Sequence, residues 1–303
     1  MIHLPTTSLL LLASVVGNAE PQAQEPFQIS VNVNWVILNV TVRDRTGLAV
    51  PGLKEQDFQV YEDGVKQTVR LFKHEDTPVT VGLVVDHSGS MRRKLANVVA
   101  AARTFVQTSN PEDQMFVVNF NDRVTLGLPK SIRHTNRVND LAIAIANSPT
   151  EGMTALYDAV FEGRNHLQED SNNKKVLIVI SDGADNASKH KLVELLKLAQ
   201  QSTIIVYAIG IFGEDDPDRN PEVLRRLAGI TGGEAFFPKQ LDEVVAICER
   251  IARDIRSQYT IGYISANSAQ SAAYRTIRLT AKSAAKGKLS VRTRAGYIAG
   301  SAK

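Results

Sequence analysis

The sequence predicts an α/β protein: a doubly wound, mostly parallel six-stranded sheet, with a small β-sandwich-like module built from the two ends of the chain. Three observations carry this. From residue 78 onward, short and nearly continuous apolar runs alternate with stretches of helical period, the pattern of a parallel sheet covered on both faces. Before and after that region the chain alternates apolar and polar residues in the strand period, as sheets with one buried face do. With 303 residues, 43% hydrophobic and 22% charged, the chain is long enough for about two domains.

Residues 1–19 read as a secretory leader. Positions 4–16 are mostly apolar and Gly17-Asn18-Ala19 offers a small-x-small cleavage site, although no Lys or Arg precedes the run. It is too short to span a bilayer, and no later segment approaches the ~20 apolar residues of a membrane helix. A secreted or periplasmic, cell-envelope protein with no membrane span in the mature chain is therefore expected. Residues 20–77 form an N-terminal β-rich flank. Ile29, Val31 and Val33 share one face of an alternating segment over 27–42, and Asp63-Gly64 is a hairpin turn between strands at 58–61 and 65–72.

Residues 78–257 form the central domain. Its first strand covers 79–85, and Leu95, Val98, Val99, Ala102, Phe105 and Val106 then follow the helical period. Strands at 115–120 and 124–128, joined by Asn121-Asp122-Arg123, make one antiparallel edge. Helices follow at 138–146 and 155–167, the second with the Thr154 hydroxyl as its expected cap. Then come a strand at 176–180, a helix at 192–199, a strand at 203–209, a helix at 222–228, a short strand at 234–237 and a helix over 241–255. That last helix holds Cys248, the one cysteine, so no intrachain disulfide exists and a buried core residue is the expected role. In residues 258–303, Tyr259, Ile261 and Tyr263 alternate, as do Ile277 and Leu279, then Leu289 and Val291. Each flank alone is near the size at which a chain without disulfide or metal struggles to bury enough apolar surface. The two are expected to pack as one sandwich from which the central domain projects.

The first strand of the central domain runs directly into Asp86-His87-Ser88-Gly89-Ser90. D-x-S-x-S arises by chance in about one 300-residue chain in ten, so the pentapeptide counts only with its neighbours. Ser181-Asp182-Gly183 closes the strand at 176–180, and Glu151-Gly152-Met153-Thr154 opens a helix between the two. Ligands in such sheets sit beyond the carboxyl ends of the strands, where the winding reverses. Magnesium asks for a near-octahedral shell of oxygens and keeps several waters, so one or two carboxylates with neutral hydroxyls suit it. Ser88, Ser90 and Thr154 would ligate directly, while Asp86 and Asp182 would hold waters or the ion. One position stays open for a partner's carboxylate.

These five residues resemble the metal-ion-dependent adhesion site of the von Willebrand factor type A (VWA) domain: Asp86, Ser88 and Ser90 match its first loop, Thr154 its second and Asp182 its third. The resemblance covers roughly residues 78–257 and implies a six-stranded sheet with about six helices and a bound divalent cation, Mg2+ first, with Mn2+ and Ca2+ as alternatives. Taken whole, with Gly296-Tyr297 near the end, the chain is similar to secreted bacterial proteins whose VWA domain is framed by β-rich segments.

Other chemistries fit less well. Neighbours on an extended segment point to opposite sides, so Asp86-His87-Ser88 cannot form a Ser-His-Asp relay, and a G-x-S-x-G elbow would need glycine at 86. The acidic run 214–218 lacks the spacing and glycine of an EF-hand loop. His74, His87, His134, His166 and His190 are scattered, without a zinc motif. The net charge of +3 is spread without a basic stripe, which argues against nucleic acid. The expected function is non-enzymatic: an exported binding or adhesion protein that engages an acidic side chain of a protein partner through the cation. A metal-independent interaction scaffold of the cell envelope is the alternative, followed by a magnesium-dependent phosphoester hydrolase with Asp86 as nucleophile.

Overall fold

The computed structural model describes residues 35–299, except 171, 173, 214–218, 268–272 and 284–285. The expected leader, the beginning of the alternating segment at 27–34 and the acidic run at 214–218 lie outside the described residues. The N-terminal flank supplies β1 (Trp35–Arg43), β2 (Phe58–Glu62), β3 (Val65–Gln67) and β4 (Val69–Lys73). Asp63 and Gly64 both take positive φ, 48° and 82°, between β2 and β3, the backbone that a two-residue hairpin turn demands.

The central domain follows in the order β5 (Thr80–Asp86), α1 (Leu95–Thr108), β6 (Gln114–Phe120), β7 (Val124–Leu126), α2 (Val138–Ala146), α3 (Leu156–Gln168), β8 (Lys175–Ser181), α4 (Leu192–Gln201), β9 (Ile205–Gly210), α5 (Pro221–Thr231), β10 (Ala235–Phe236) and α6 (Glu243–Arg256). The strands form one sheet in the order β10-β9-β8-β5-β6-β7, parallel throughout except for β7. β5 is buried along its whole length, which is why its sequence is a continuous apolar run rather than an alternating one. Gly82 in its middle is forced by packing, since a Cβ there would lie 2.5 Å from Phe116 Cζ. The amphipathic α6 buries Val244, Cys248, Ile251, Ala252 and Ile255, which places the free thiol in the core. From β5 the chain steps outward to β6 and β7, then crosses to β8 on the other side. The winding therefore reverses between β5 and β8, and both strands end at the candidate site.

The C-terminal flank adds β11 (Tyr259–Ile264), β12 (Tyr274–Ala281), β13 (Ser290–Arg292) and β14 (Gly296–Ile298). Two four-stranded sheets result, β13-β1-β11-β4 and β14-β12-β2-β3, and each takes two strands from either end of the chain. Their shared core holds Leu38, Val40, Val60, Tyr259, Ile261 and Tyr263, all at most 0% exposed. The strand expected over 65–72 is in fact two strands: β3 pairs with β2, and after Thr68 β4 pairs with β11 in the other sheet.

A network of ion pairs joins this sandwich to the α/β domain. Arg43 of β1 pairs with Asp254 of α6 and, at 2.8 Å, with Glu234. Arg292 of β13 and Arg250 reach the same Glu234 at 2.6 and 3.2 Å. Burial alone would raise the Glu234 pKa, but the Arg292 and Arg43 charges hold it below the usual range. Every member has an oppositely charged neighbour, and at the buried Arg43–Asp254 pair losing one partner would leave the other poorly hydrated.

Candidate metal centre

Three loops meet at the carboxyl ends of β5 and β8. The first is the turn after β5, where Asp86 Oδ1 accepts the backbone N–H of Ser88 at 2.8 Å and a short 3-10 turn, Gly89–Met91, follows. The second is 151–154, tied to the first by Glu151 N–H to His87 O at 2.9 Å and Gly89 N–H to Gly152 O at 3.3 Å. The third follows β8, where Gly183 takes φ +81° and a Cβ would stand 2.4 Å from Asn220 O. Only glycine lets the Asn220 backbone close on Asp182, whose carbonyl accepts Asn220 N–H at 3.1 Å.

The side chains then converge. Ser181 Oγ donates to Asp86 Oδ2 at 2.6 Å, Ser90 Oγ donates to Asp182 Oδ2 at 2.6 Å, and the Ser88 and Ser90 hydroxyls lie 3.1 Å apart. Asp86, Ser88 and Asp182 are buried, whereas Ser90 is exposed, so the cluster opens to solvent on its Ser90 side. Thr154 joins through its backbone: its N–H donates to Asn186 Oδ1 at 2.8 Å, and its carbonyl accepts from Asn186 and Ala187 at 3.0 and 3.1 Å. Asp86, Ser88, Ser90 and Asp182 are thus linked in a chain of hydrogen bonds and adjacent hydroxyls, and Thr154 joins by the loop that carries it.

One expectation needs correction. The Thr154 hydroxyl does not cap α3, whose N-cap position is Ala155 and carries no side-chain cap. The third loop caps the helix from outside instead, with Asp185 Oδ1 accepting Tyr157 N–H and Ser188 Oγ accepting Asp158 N–H, both at 3.1 Å. Among the described residues the Thr154 hydroxyl makes no hydrogen bond, which leaves its oxygen for another ligand. Ser181, Asp185, Asn186 and Ser188 are site-building residues that sequence reasoning passed over. Their one signal was the density of short polar side chains after β8.

The electrostatics are unbalanced. Asp86 is 0% exposed, and burial pushes its pKa up to about 6, against the lowering effect of the Ser181 and Ser88 hydrogen bonds; the nearby Asp182 charge pushes the same way as burial. Among the described residues no Lys, Arg or His forms an ion pair with Asp86 or Asp182. Two carboxylates and three hydroxyls without a counter-charge are the oxygen-rich, low-charge set that a hard divalent cation takes. Among the described residues no group of three or more His, Cys, Asp or Glu is placed to hold a metal ion, so a softer-ligand metal cage has no support there. His87 takes no part: it is 0% exposed, its Nε2 faces Asn119 Oδ1 at 3.1 Å, and burial lowers its pKa. The Asn119 amide is oriented by donating Nδ2 to Ala144 O at 2.7 Å, so His87 Nε2 is the donor and no serine is activated. A concavity opens nearby, though not over Asp86. It lies beside the second loop, between the β6–β7 turn and the end of α2.

Residues 80–250 match the family model of the von Willebrand factor type A domain. A von Willebrand factor type A structure from Catenulispora acidiphila is similar at 14% identity and TM-score 0.53, over 88% of this chain and 75% of that one. Proximal thread matrix protein 1 from the mussel byssus, solved with zinc in its MIDAS motif, is similar at 16% identity and TM-score 0.51, over 64% of this chain and 50% of that one. The vWF domain of the type V pili tip protein Mfa5 from Porphyromonas gingivalis is similar at 13% identity and TM-score 0.50, over 59% of this chain and 95% of that one. At these identities the likeness is one of fold.

Proposed function

The chain belongs to the von Willebrand factor type A domain family, and from that premise we propose that it is an exported, non-enzymatic binding protein. Asp86, Ser88, Ser90, Thr154 and Asp182 would hold a divalent cation, magnesium before manganese or calcium, and the cation would engage an acidic side chain of a protein partner. The observation that carries this reading is the buried Asp86 carboxylate beside Asp182, with no cation among the described residues paired to either. When bound, the ion would supply a hard, Lewis-acidic position for a carboxylate oxygen. The protein's own part is orientation: Ser181 and the Ser88 N–H fix both oxygens of Asp86, and Ser90 fixes one oxygen of Asp182. Each carboxylate is thereby aimed before a metal arrives.

The alternate position after Asp86 is Ser88 rather than a second acid, and His87 is turned away toward Asn119, which speaks against hydrolysis. The matrix and pilus-tip roles named for two structures of the same fold agree with adhesion and with a secreted or cell-envelope location. Affinity for magnesium should be weak, on the order of 0.1 to 1 mM, as for open extracellular oxygen sites. Calorimetric titration of the wild type and of Asp86→Ala decides it: heat in the first and none in the second is expected, and equal heats would sink the site. Partner capture that persists undiminished in chelator would favour a metal-independent scaffold instead.

A further inference from the structure

We infer that the cleft beside the candidate metal centre is a second subsite for the same ligand, seating a polar, non-acidic residue within about three positions of the metal-bound acid; this rests on the cation-mediated reading above. The cleft encloses about 430 Å3, within the range of cavities that hold ligands. Its walls are built onto the metal loops. Glu151, on one side, donates its N–H to the carbonyl of His87, between Asp86 and Ser88; Asn121, on the other, accepts the N–H of Ala155, next to Thr154, at 2.7 Å. Successive Cα atoms are 3.8 Å apart, so the Glu151 wall lies within about 11 Å of Thr154, a distance that three residues of an extended ligand cover.

The lining says what would sit there. Asp122, Arg123, Asn147, Ser148 and Glu151 all face this cleft, and among the described residues none of their side chains makes an ion pair or a hydrogen bond. Donors and acceptors are mixed, with two carboxylates to one guanidinium. That set matches backbone amides and amide, hydroxyl or basic side chains, and it penalises a second carboxylate. The rim toward the metal is loop 151–154, where Met153 is 53% exposed and offers an apolar contact. The shape is also preformed: Gly152 takes φ +79°, and a Cβ there would stand 2.5 Å from Asp122 Oδ1, so the absence of a side chain lets the Asp122 wall close against the loop.

The test is selection from a random dodecapeptide library displayed on phage, bound in magnesium and eluted with chelator, run on the full chain. It compares the wild type with two independent cleft-filling variants at exposed positions, Thr125→Trp and Asn147→Trp, each checked for folding by thermal melting. The expected wild-type pool carries an acidic residue and, at a fixed offset of three or fewer positions, a polar or basic residue. Both variants should return chelator-eluted pools that keep the acid and lose the offset preference, and a wild-type peptide should bind them at least tenfold more weakly. Equal affinity and the same offset preference in all three proteins would overturn the subsite while leaving the metal reading intact, as would enrichment of a second acid at that offset. Failure to recover any chelator-eluted pool from the wild type would overturn the metal reading and the subsite with it.

Discussion

Two carboxylates in this molecule are equally hidden and differ in almost everything else. Glu62 in the sandwich and Asp86 in the α/β domain are both 0% exposed. Glu62 accepts from Tyr263 Oη at 2.7 Å, Ser265 Oγ at 2.6 Å, Asn267 Nδ2 at 3.0 Å, Tyr297 Oη at 2.9 Å and Arg275 Nη1 at 3.0 Å. Burial alone would raise its pKa, yet the donors from Ser265, Tyr263, Tyr297 and Asn267 hold it below the usual carboxylate range. Asp86 has two donors, a second carboxylate nearby and a pKa pushed up to about 6. Burial alone does not separate a structural acid from a candidate metal ligand. The completeness of the surrounding donors does, because a carboxylate whose charge is answered by protein groups has nothing left to offer a cation.

The largest effect that would test this contrast is the loss of Glu62. Glu62→Ala leaves the Arg275 guanidinium, 4% exposed, and two inward-facing phenols without their acceptor. Removing one partner of a buried pair costs about 3–5 kcal/mol. Urea denaturation should show that drop while the calorimetric response to magnesium in the folded protein stays as in the wild type. A loss below about 1 kcal/mol, in the range of an exposed pair, would break the comparison.

Asp86→Asn should do the reverse. In chelator at pH 7 the variant is expected to be more stable than the wild type by on the order of 1–3 kcal/mol, since a buried acid with a raised pKa opposes folding while ionised. The pH dependence follows with opposite signs at the two sites. The folded-state pKa of Asp86 lies above its unfolded value, so metal-free wild type should gain stability as pH falls from about 6 toward about 4, and the advantage of Asp86→Asn should vanish there. Glu62 has a depressed folded-state pKa, so its contribution is present above the unfolded value of about 4.3 and is lost as pH falls through the lower folded value. Melting curves of wild type and Asp86→Asn between pH 4 and 7 read the difference. A constant gap across that range would show that Asp86 is not titrating as its burial requires.

The same contrast explains what could be seen in the sequence. The strands and helices from residue 78 to 257 were legible because β5 and β8 are covered on both faces and so read as unbroken apolar runs. Asp86, Ser88 and Ser90 were legible because they stand together at the end of such a run. Glu62 gave no sign: it follows an alternating strand and precedes a turn, and its donors lie more than two hundred positions away. Arg43 and Asp254, 211 positions apart, were invisible for the same reason. The break at Thr68 was hidden too, because residues 65–72 keep strand periodicity while β3 and β4 pair in different sheets. Local patterns reveal an element and its buried face, but the choice of partner belongs to the three-dimensional assembly.

The smallest expected effect compares two hydroxyls rather than two acids. Ser265 donates to Glu62 at 2.6 Å, so Ser265→Ala removes one donor from a buried carboxylate and should cost about 1–2 kcal/mol of stability with no change in magnesium binding. Thr154 is 4% exposed, and its hydroxyl makes no hydrogen bond among the described residues. Thr154→Val keeps the shape and the backbone bonds to Asn186 and Ala187, so its stability in chelator should stay within about 0.5 kcal/mol of the wild type. Its magnesium affinity should nevertheless fall about tenfold, equivalent to about 1.4 kcal/mol by the usual conversion of affinity to free energy. A hydroxyl that matters little to the fold and much to the ion is a ligand in waiting. If Thr154→Val instead lost stability and kept its affinity for magnesium, the oxygen would belong to the fold and the metal shell would have to be completed without it.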